Sequence, residues 1–215
     1  MASMHTPNPT GRRPLHDLVS DMALASQQAQ HFAIQELAFT TQINLRGDGN
    51  DPQFQRAIEQ SIGCTLPQTA NTFSKHASYA VLWLGPDEWL ITAPVGEHST
   101  LERTLRTALQ GIHHSVVDVS ANRTIIELSG DWVRLILAKG CSHDFSAHAF
   151  FAPQVRQTQL AKAQVILQCI ETATVFRVYV RHSFAQYLTQ WLIDAAAEAH
   201  AAVAIDTVQR ARRLA

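Results

Sequence analysis

The sequence predicts an α+β fold in which two β-α-β-β-α-β halves pack into one globule. Strand-like and helix-like segments follow in the same order over about residues 33–120 and again over about 121–207. Each half contains two strand-like runs separated by a turn, as an antiparallel hairpin requires. With 46% hydrophobic residues, the chain of 215 residues can also fill a substantial core.

The first half opens with a strand and a helix. Apolar residues alternate with polar ones from 37 to 45, and this period of two predicts a half-buried strand. Asp51 can cap the helix that follows. Pro52 fits the first helical position, because it has no N–H to satisfy. Gly63 is expected to end that helix.

A tight turn with two carboxylates separates the next two strand-like runs. The range 85–87, Gly-Pro-Asp, has the composition of a turn, since proline presets φ and aspartate can bond its own backbone. We therefore predict a hairpin whose Trp83 and Trp89 anchor the core or an interface. An acid pair, Asp87 and Glu88, is the alternative, but adjacent strand residues point to opposite faces and such a pair must address one bond.

The first half ends with a helix and a strand. The sequence Ser99-x-x-Glu102 is a capping box that opens an amphipathic helix, and residues 115–120 form an apolar strand.

The second half repeats this order. A strand over 124–129 is followed by Gly130-Asp131, where the aspartate is a good helix cap, and by a helix that Gly140 ends. A second hairpin turns at Glu171-Thr172.

Two further elements complete the second half. A capping box, Ser183-x-x-Gln186, opens the last helix, and residues 202–206, "AVAID", are predicted to be a strand equivalent to 115–120. Residues 1–30 are polar and proline-rich and then rich in Ala and Gln, so we expect a flexible N-terminal arm.

Composition limits the classes of partner. The formal net charge is −1 and no basic stripe interrupts the middle of the chain, which disfavours nucleic-acid binding. Charged residues make up 16%, against a usual share of about a quarter, so part of the surface could face a partner. No run approaches the roughly 18 apolar residues of a membrane span. Three widely spaced cysteines, Cys64, Cys141 and Cys169, are expected to be reduced in the cytoplasm.

Two clusters have the residue types of a chemical site. Cys141, His143, Asp144 and His148 are all possible zinc ligands, but their spacing matches no closed four-ligand pattern and the neighbouring phenylalanines indicate a loop that buries aromatic rings. The pair His113-His114 has no recognisable nucleophile as a partner. Glycine fingerprints for flavin, nicotinamide or nucleotide cofactors are missing as well. We therefore predict no catalytic, cofactor-binding or metal-binding residue in this chain.

One strand contains a patch of interface-type residues. Arg177, Tyr179 and Arg181 share one face, while apolar residues form the other. The patch is either a solvated outer face or an interface, where Arg and Tyr are favoured.

Five stretches of the sequence resemble the gamma subunit family of heterotetrameric sarcosine oxidases. They are "WLGPDEWLI" (83–91), "VVDVSANRTIIELSG" (116–130), "LAKGCSHDF" (137–145), "QTQLAKAQVIL" (157–167) and "FRVYVRHSFAQYLTQWL" (176–192). The resemblance covers roughly residues 33–205 of a domain that we place at 31–215. It departs from the family at Asp131, where a proline is common, and over the N-terminal arm. The family in turn is similar to the folate-binding fold of aminomethyltransferases, which agrees with two ferredoxin-like halves.

The resemblance implies a specific role. The complex would oxidatively demethylate sarcosine to glycine, reduce oxygen to hydrogen peroxide and pass the one-carbon unit to tetrahydrofolate. FAD, FMN and NAD would be bound by the alpha and beta subunits and zinc by the delta subunit, with tetrahydrofolate also bound outside this chain. This chain would be a non-catalytic structural subunit that packs mainly against alpha.

Two alternatives remain open from the sequence. One is a stand-alone folate-binding or aminomethyltransferase-like protein, which the resemblance weakens because the strand that should supply an acid, "AKAQVILQCIE", has only Glu171, at its turn. The other is the equivalent subunit of an N-methylglutamate dehydrogenase.

Overall fold

The computed structural model describes residues 13–28, 31–37, 39–172 and 174–214. Within them the strands are β1 (Ala33–Glu36), β2 (Thr41–Gly47), β3 (Phe73–His76), β4 (Tyr79–Gly85), β5 (Glu88–Ala93), β6 (His114–Asp118), β7 (Arg123–Ser129), β8 (Val155–Leu160), β9 (Ala163–Glu171) and β10 (Val175–Arg181). The helices are α1 (Val19–Gln28), which follows a 3-10 turn at His16–Leu18, α2 (Pro52–Ile62), α3 (His98–Ala108), α4 (Val133–Gly140) and α5 (His182–Leu214). No helix in these ranges has the length and apolar character that crossing a bilayer demands.

The strands form two antiparallel sheets that pack face to face. One has the order β1-β7-β10-β9-β8 and the other β3-β4-β5-β2-β6. Buried apolar residues of both sheets make one cluster between them. The outer face of the first sheet is covered by α1, α4 and α5, and the outer face of the second by α2 and α3. The result is a four-layer α/β/β/α arrangement, and the predicted fold class is confirmed.

Each sheet has five strands, one more than the four predicted for each half. β3 and β8 are short edge strands that were not recognised in the sequence. They bring the two sheets together, because Thr72 and Gln154 form a bridge and the Gln157 side chain donates to the main-chain oxygen of Leu84 at 2.6 Å. Both hairpin predictions, at residues 85–87 and at Glu171-Thr172, are confirmed.

The helix boundaries in the structure confirm the predicted cap at Asp51 and contradict the caps predicted for the other helices. The Asp51 side chain accepts from the Gln53 N–H at 2.8 Å, and Gly63 closes α2 in the left-handed conformation. The capping box predicted at Ser99 is wrong. α3 begins at His98, so its cap position is Glu97, two residues before Ser99. No side chain caps this helix, because the carboxylate of Glu97 instead accepts a hydrogen bond from Tyr79.

The starts and ends of the other two helices also differ from prediction. α5 already begins at His182, so Ser183 lies inside its first turn and not at its cap. Asp131 does not cap α4, whose cap position is Trp132, and its carboxylate lies 3.4 Å from the imidazole of His31. Gly140 is the last residue of α4 and does not follow it.

The flexible arm predicted for residues 1–30 is corrected for the part that the structure describes, which is 13–28. Leu15, Met22 and Ala25 are buried in the outer core of the first sheet. Ser26 Oγ accepts a hydrogen bond from Ile34 N–H at 3.1 Å, so α1 covers the outer edge of β1. A short apolar face was enough to dock this helix. Residues 1–12, 29 and 30 lie outside the described ranges.

The boundary between the halves also differs from the prediction. β1 lies antiparallel beside β7 and so belongs to the first sheet, with the strands of the second half, although residues 33–36 fall in the predicted first half. It occupies the position that β6 occupies beside β2. The strand predicted at 202–206 is wrong because that place is already filled, and the Ala-rich segment continues α5. The strand predicted over 37–45 corresponds to β2 alone, which begins only at Thr41 and runs to Gly47; residues 37, 39 and 40 lie outside the strands.

Candidate functional site

The hairpin with two carboxylates has a structural role. Asp87 Oδ2 accepts from Arg46 Nη2 at 2.6 Å, and Glu88 Oε1 accepts from Asn44 Nδ2 at 2.7 Å, so both acids are bonded to side chains of β2. Trp89 is buried and its indole N–H donates to the main-chain oxygen of Pro67 at 3.0 Å. These contacts hold the hairpin to β2, because each carboxylate is bonded to a side chain of that strand.

Trp89 belongs to the core, and Trp83 packs against it. Trp89 lies 6.0 Å, ring centre to ring centre, from Phe54 of α2, and Trp83 packs against the same apolar cluster. The core alternative is confirmed for Trp89, whereas Trp83 is half-buried against this cluster and its interface alternative stays a prediction.

The segment from Cys141 to His148 is organised by aromatic rings. The His143 imidazole lies edge-on to Phe145 and Phe150, at 5.6 and 5.5 Å, and burial lowers the pKa of His143. His148 Nε2 instead lies 3.2 Å from Ser146 Oγ. In the described ranges, no three His, Cys, Asp or Glu side chains converge to hold a metal ion.

Arg134 holds this segment in place. Its guanidinium donates to the main-chain oxygens of Phe145, Phe150 and Thr172 and lies 5.0 Å above the ring of Phe176. A charged side chain within an amphipathic helix gave no sign of this role in the sequence, because its acceptors are carbonyl groups far away along the chain.

The two histidines before β6 are separated in the structure. His113 is exposed, and His114 is half-buried with its Nδ1 2.7 Å from the main-chain oxygen of Ile112. His114 is thus engaged with its own turn.

The predicted patch on β10 faces the other sheet. The cross-strand partners on β7 follow in a row: Arg177 opposite Glu127, Tyr179 opposite Ile125, and Arg181 opposite Arg123. Ile125 and Tyr179 lie in the apolar cluster between the sheets, so this is the inner face of the first sheet. We call these three pairs the inner row.

The inner row corrects both alternatives stated for the patch. Tyr179 is only 1% exposed, donates to Gln168 Oε1 at 2.7 Å, and has its pKa raised to about 12, chiefly by burial. Arg177 Nε donates to Glu127 Oε2 at 2.9 Å. Arg181 is exposed. The patch is therefore neither a fully solvated face nor one continuous interface, and Arg181 is its outward member.

A small polar cavity lies at the Arg181 end of the inner row. Its volume is about 10 Å³, which is room for one water molecule. Two oxygens near it, Glu36 Oε2 and Gln42 Oε1, are buried and have no hydrogen-bond partner. The lining residues are Arg13, Glu36, Leu37, Phe39, Thr40, Gln42, Ser120, Arg123, Thr124, Ile125 and His182.

The strand that would supply an acid to a folate ligand offers none on its inner face. Along β9, Ile166 and Ile170 face the other sheet, and the other two inward positions are Gln164 and Gln168. Glu171 is exposed at the turn, where it accepts from Thr174 Oγ1 at 3.2 Å. The predicted absence of catalytic, cofactor and metal residues stays a prediction.

Comparison with known proteins gives consistent matches. The family model "Sarcosine oxidase, gamma subunit family" matches residues 46–198. Sarcosine oxidase subunit gamma from Corynebacterium sp. (strain P-1) is 36% identical over 188 residues, which cover 87% of this chain and 90% of the relative. The subunit of the same name from Arthrobacter sp. is 37% identical with the same coverage.

Two solved structures resemble the fold. A chain of heterotetrameric sarcosine oxidase from Corynebacterium sp. U-96, solved in complex with pyrrole 2-carboxylate, matches with a TM-score of 0.76 and 33% identity over 87% of this chain and 95% of that one. Aminomethyltransferase T of the glycine cleavage system from Bartonella henselae matches with a TM-score of 0.59 and 13% identity, over 84% of this chain and 56% of that one. The second likeness concerns the fold alone.

Proposed function

Because this chain belongs to the sarcosine oxidase gamma subunit family, we propose that it is the structural gamma subunit of a heterotetrameric sarcosine oxidase. The observation that supports this most directly is the match over 95% of a chain from such a complex, at a TM-score of 0.76. The polar groups of the candidate sites agree with the proposal. Asp87, Glu88 and His148 contact other side chains of the chain itself.

The proposal extends to the reaction of the complex. It would convert sarcosine to glycine with release of hydrogen peroxide and transfer of the one-carbon unit to tetrahydrofolate. We propose that FAD, FMN, NAD, tetrahydrofolate and zinc are held by the alpha, beta and delta subunits, and that alpha makes the main contact with this chain. A cytoplasmic location is part of the proposal and is compatible with three free, buried thiols.

Co-purification tests the subunit role. The chain would be tagged in its own source, and the purified sample would be studied by native mass spectrometry and by visible absorption spectroscopy. We expect a complex with two larger chains and one small chain, yellow from flavin. A colourless monomer would contradict the proposal.

Substrate and folate experiments separate the alternatives. Oxygen consumption by the purified complex with sarcosine, compared with N-methylglutamate, identifies the methylamino acid. Calorimetric titration of the isolated chain with a reduced folate tests the stand-alone role, for which we expect no binding heat because the inner face of β9 lacks a carboxylate.

A further inference from the structure

The last pair of the inner row places two arginines opposite each other. Arg123 on β7 and Arg181 on β10 are direct cross-strand partners, so their side chains leave the sheet on the same face. Like charges at such positions destabilise a sheet. Four positions along the same strands, Arg177 is matched with Glu127 at 2.9 Å, which shows how a balanced pair is built here.

The chain itself does not neutralise this arginine pair. In the ranges that the structure describes, neither guanidinium has a carboxylate within ion-pair distance. Burial and the charge of Arg181 lower the pKa of Arg123, against the charge of Glu88, whose carboxylate accepts a hydrogen bond from Asn44. Glu36 has one oxygen bonded to Thr124 and the other buried.

The residues outside the described ranges add no acidic side chain. Residues 1–12, 29, 30, 38, 173 and 215 include no Asp or Glu. The pair thus has no carboxylate within ion-pair distance in the described part of the chain, and a carboxylate from outside the chain can compensate it.

The surroundings favour a partner protein as its source. Arg181 is exposed, and Arg123 is half-buried. Arg123 lines the small cavity together with Arg13 and His182, and Glu36 is the acidic residue in that lining. The cavity has room for one water molecule and cannot enclose a free organic anion. Arginine is also among the residues that dominate binding energy at protein interfaces.

We propose that Arg123 and Arg181 form an anchor for an Asp or Glu side chain of a larger subunit of the complex. The carboxylate bridges the two guanidinium groups and removes their repulsion when the subunits assemble. This inference rests on the proposed subunit function and adds the surface and the chemistry of contact to it.

A charge reversal at Arg181 gives two opposite expected results. Arg181→Glu supplies the missing carboxylate within the chain, so the melting temperature of the isolated full chain should rise. The same change repels the partner's carboxylate, so the dissociation constant of the complex should increase on the order of 100-fold. Arg181→Lys keeps the charge but loses the planar fork, and a smaller increase, on the order of 10-fold, is expected.

Arg103→Glu is the matched control. Arg103 is exposed on α3, and its reversal changes the net charge of the chain by the same amount. We expect it to change the dissociation constant less than about threefold. Assembly would be measured by native mass spectrometry and by titration of the complete complex over a range of salt concentrations.

The outcomes separate this inference from the proposed function. Failure of the wild-type chain to assemble with its partners would overturn both. Wild-type assembly with equal affinities for Arg181→Glu and Arg103→Glu would overturn the anchor alone. A rise in wild-type melting temperature with inorganic phosphate, together with unchanged assembly of Arg181→Glu, would assign the pair to a free anion and would also overturn it.

Discussion

The main-chain oxygen of His31 lies so close to Gly130 that a Cβ atom at position 130 would overlap it. Gly130 ends β7 with φ +118, a backbone conformation that residues with a side chain rarely adopt. The same peptide oxygen of His31 accepts from Trp132 N–H at 3.2 Å. The glycine therefore lets the N-terminal segment cross over the end of β7 before it pairs with that strand as β1.

We expect Gly130→Ala to destabilise the fold by about 3 kcal/mol or more, since strain at positive φ and a main-chain overlap add together. Gly111→Ala is the control. Gly111 also has a positive φ, +83, but a Cβ there would meet nothing within 4 Å. It should lose about 1–2 kcal/mol, the cost of the backbone conformation. Urea unfolding of both variants measures the difference, and equal losses would show that the overlap relaxes.

Sequence reasoning recovered the elements that local chemistry determines. The Asp51 cap, the Gly63 stop and the turn at 85–87 depend on a few neighbouring residues, and all three are present in the structure. The order of strands in a sheet depends on partners far away along the chain. No local signal in the sequence therefore indicates that β1 lies beside β7. The strand predicted at 202–206 followed from the assumption that the two halves have the same order of elements.

One signal of the repeat was present in the sequence but was not recognised. β2 and β7 share the pattern T-x-I-x-L-x-G. In β2 it is Thr41-Gln-Ile-Asn-Leu-Arg-Gly47, and in β7 with the glycine that follows it is Thr124-Ile-Ile-Glu-Leu-Ser-Gly130. The shared Ile and Leu positions are buried under the helices in both sheets, so the pattern marks equivalent strands.

The arginine pair could not be found in the same way. Arg123 and Arg181 are 58 positions apart, and only the register of β7 against β10 brings them together. The sequence did place Arg181 on one face with Arg177 and Tyr179. It could not show that Arg177 has an acidic partner, Glu127, whereas Arg181 has none in the described part of the chain.

The docking of α1 can be tested with two substitutions on that helix. Met22 is 4% exposed and contributes to the outer core, whereas Leu24 is 52% exposed. Met22→Ala should lower the free energy of unfolding by about 2–3 kcal/mol, because it removes buried methylene groups and leaves a cavity. Leu24→Ala should stay within about 0.5 kcal/mol of wild type. If both variants unfold at the wild-type urea concentration, the segment does not contribute to the core.

Alkaline pH should destabilise the fold through its tyrosines. The pKa of Tyr179 is raised to about 12 by burial, and that of Tyr79 to about 12 by its hydrogen bond to Glu97. An unfolded tyrosine has a pKa of about 10, so between about pH 10 and 12 the native state keeps protons that the unfolded state releases. The stabilisation is complete below about pH 10 and is lost as the pH rises toward 12.

A Tyr179→Phe variant isolates the buried phenol. We expect its free energy of unfolding to fall less steeply with pH than that of the wild type, by at most about 1.4 kcal/mol per pH unit. Urea unfolding at several pH values gives the slopes, and ultraviolet absorbance of the phenolates should lose one late-titrating component in the variant. Identical slopes would mean that Tyr179 ionises in the folded chain as readily as in the unfolded one.

The acid pair of the first hairpin gives the test that bears most directly on catalysis. Asp87 and Glu88 are bonded to Arg46 and Asn44 of β2, and their contacts belong to the hairpin. Asp87→Asn combined with Glu88→Gln keeps the shapes of both side chains and removes both charges. We expect turnover of the assembled complex with sarcosine to stay within a few-fold of wild type.

The magnitude of any loss separates the two roles of this pair. Removing a general acid or base usually costs about 10²-fold or more in rate, whereas weakening an exposed ion pair such as Arg46–Asp87 costs about 0–1 kcal/mol of stability. The double variant should therefore show a small decrease in melting temperature and nearly unchanged turnover per assembled complex. A loss of about 10²-fold in turnover, with assembly and melting temperature unchanged, would place these carboxylates in the chemistry of the complex.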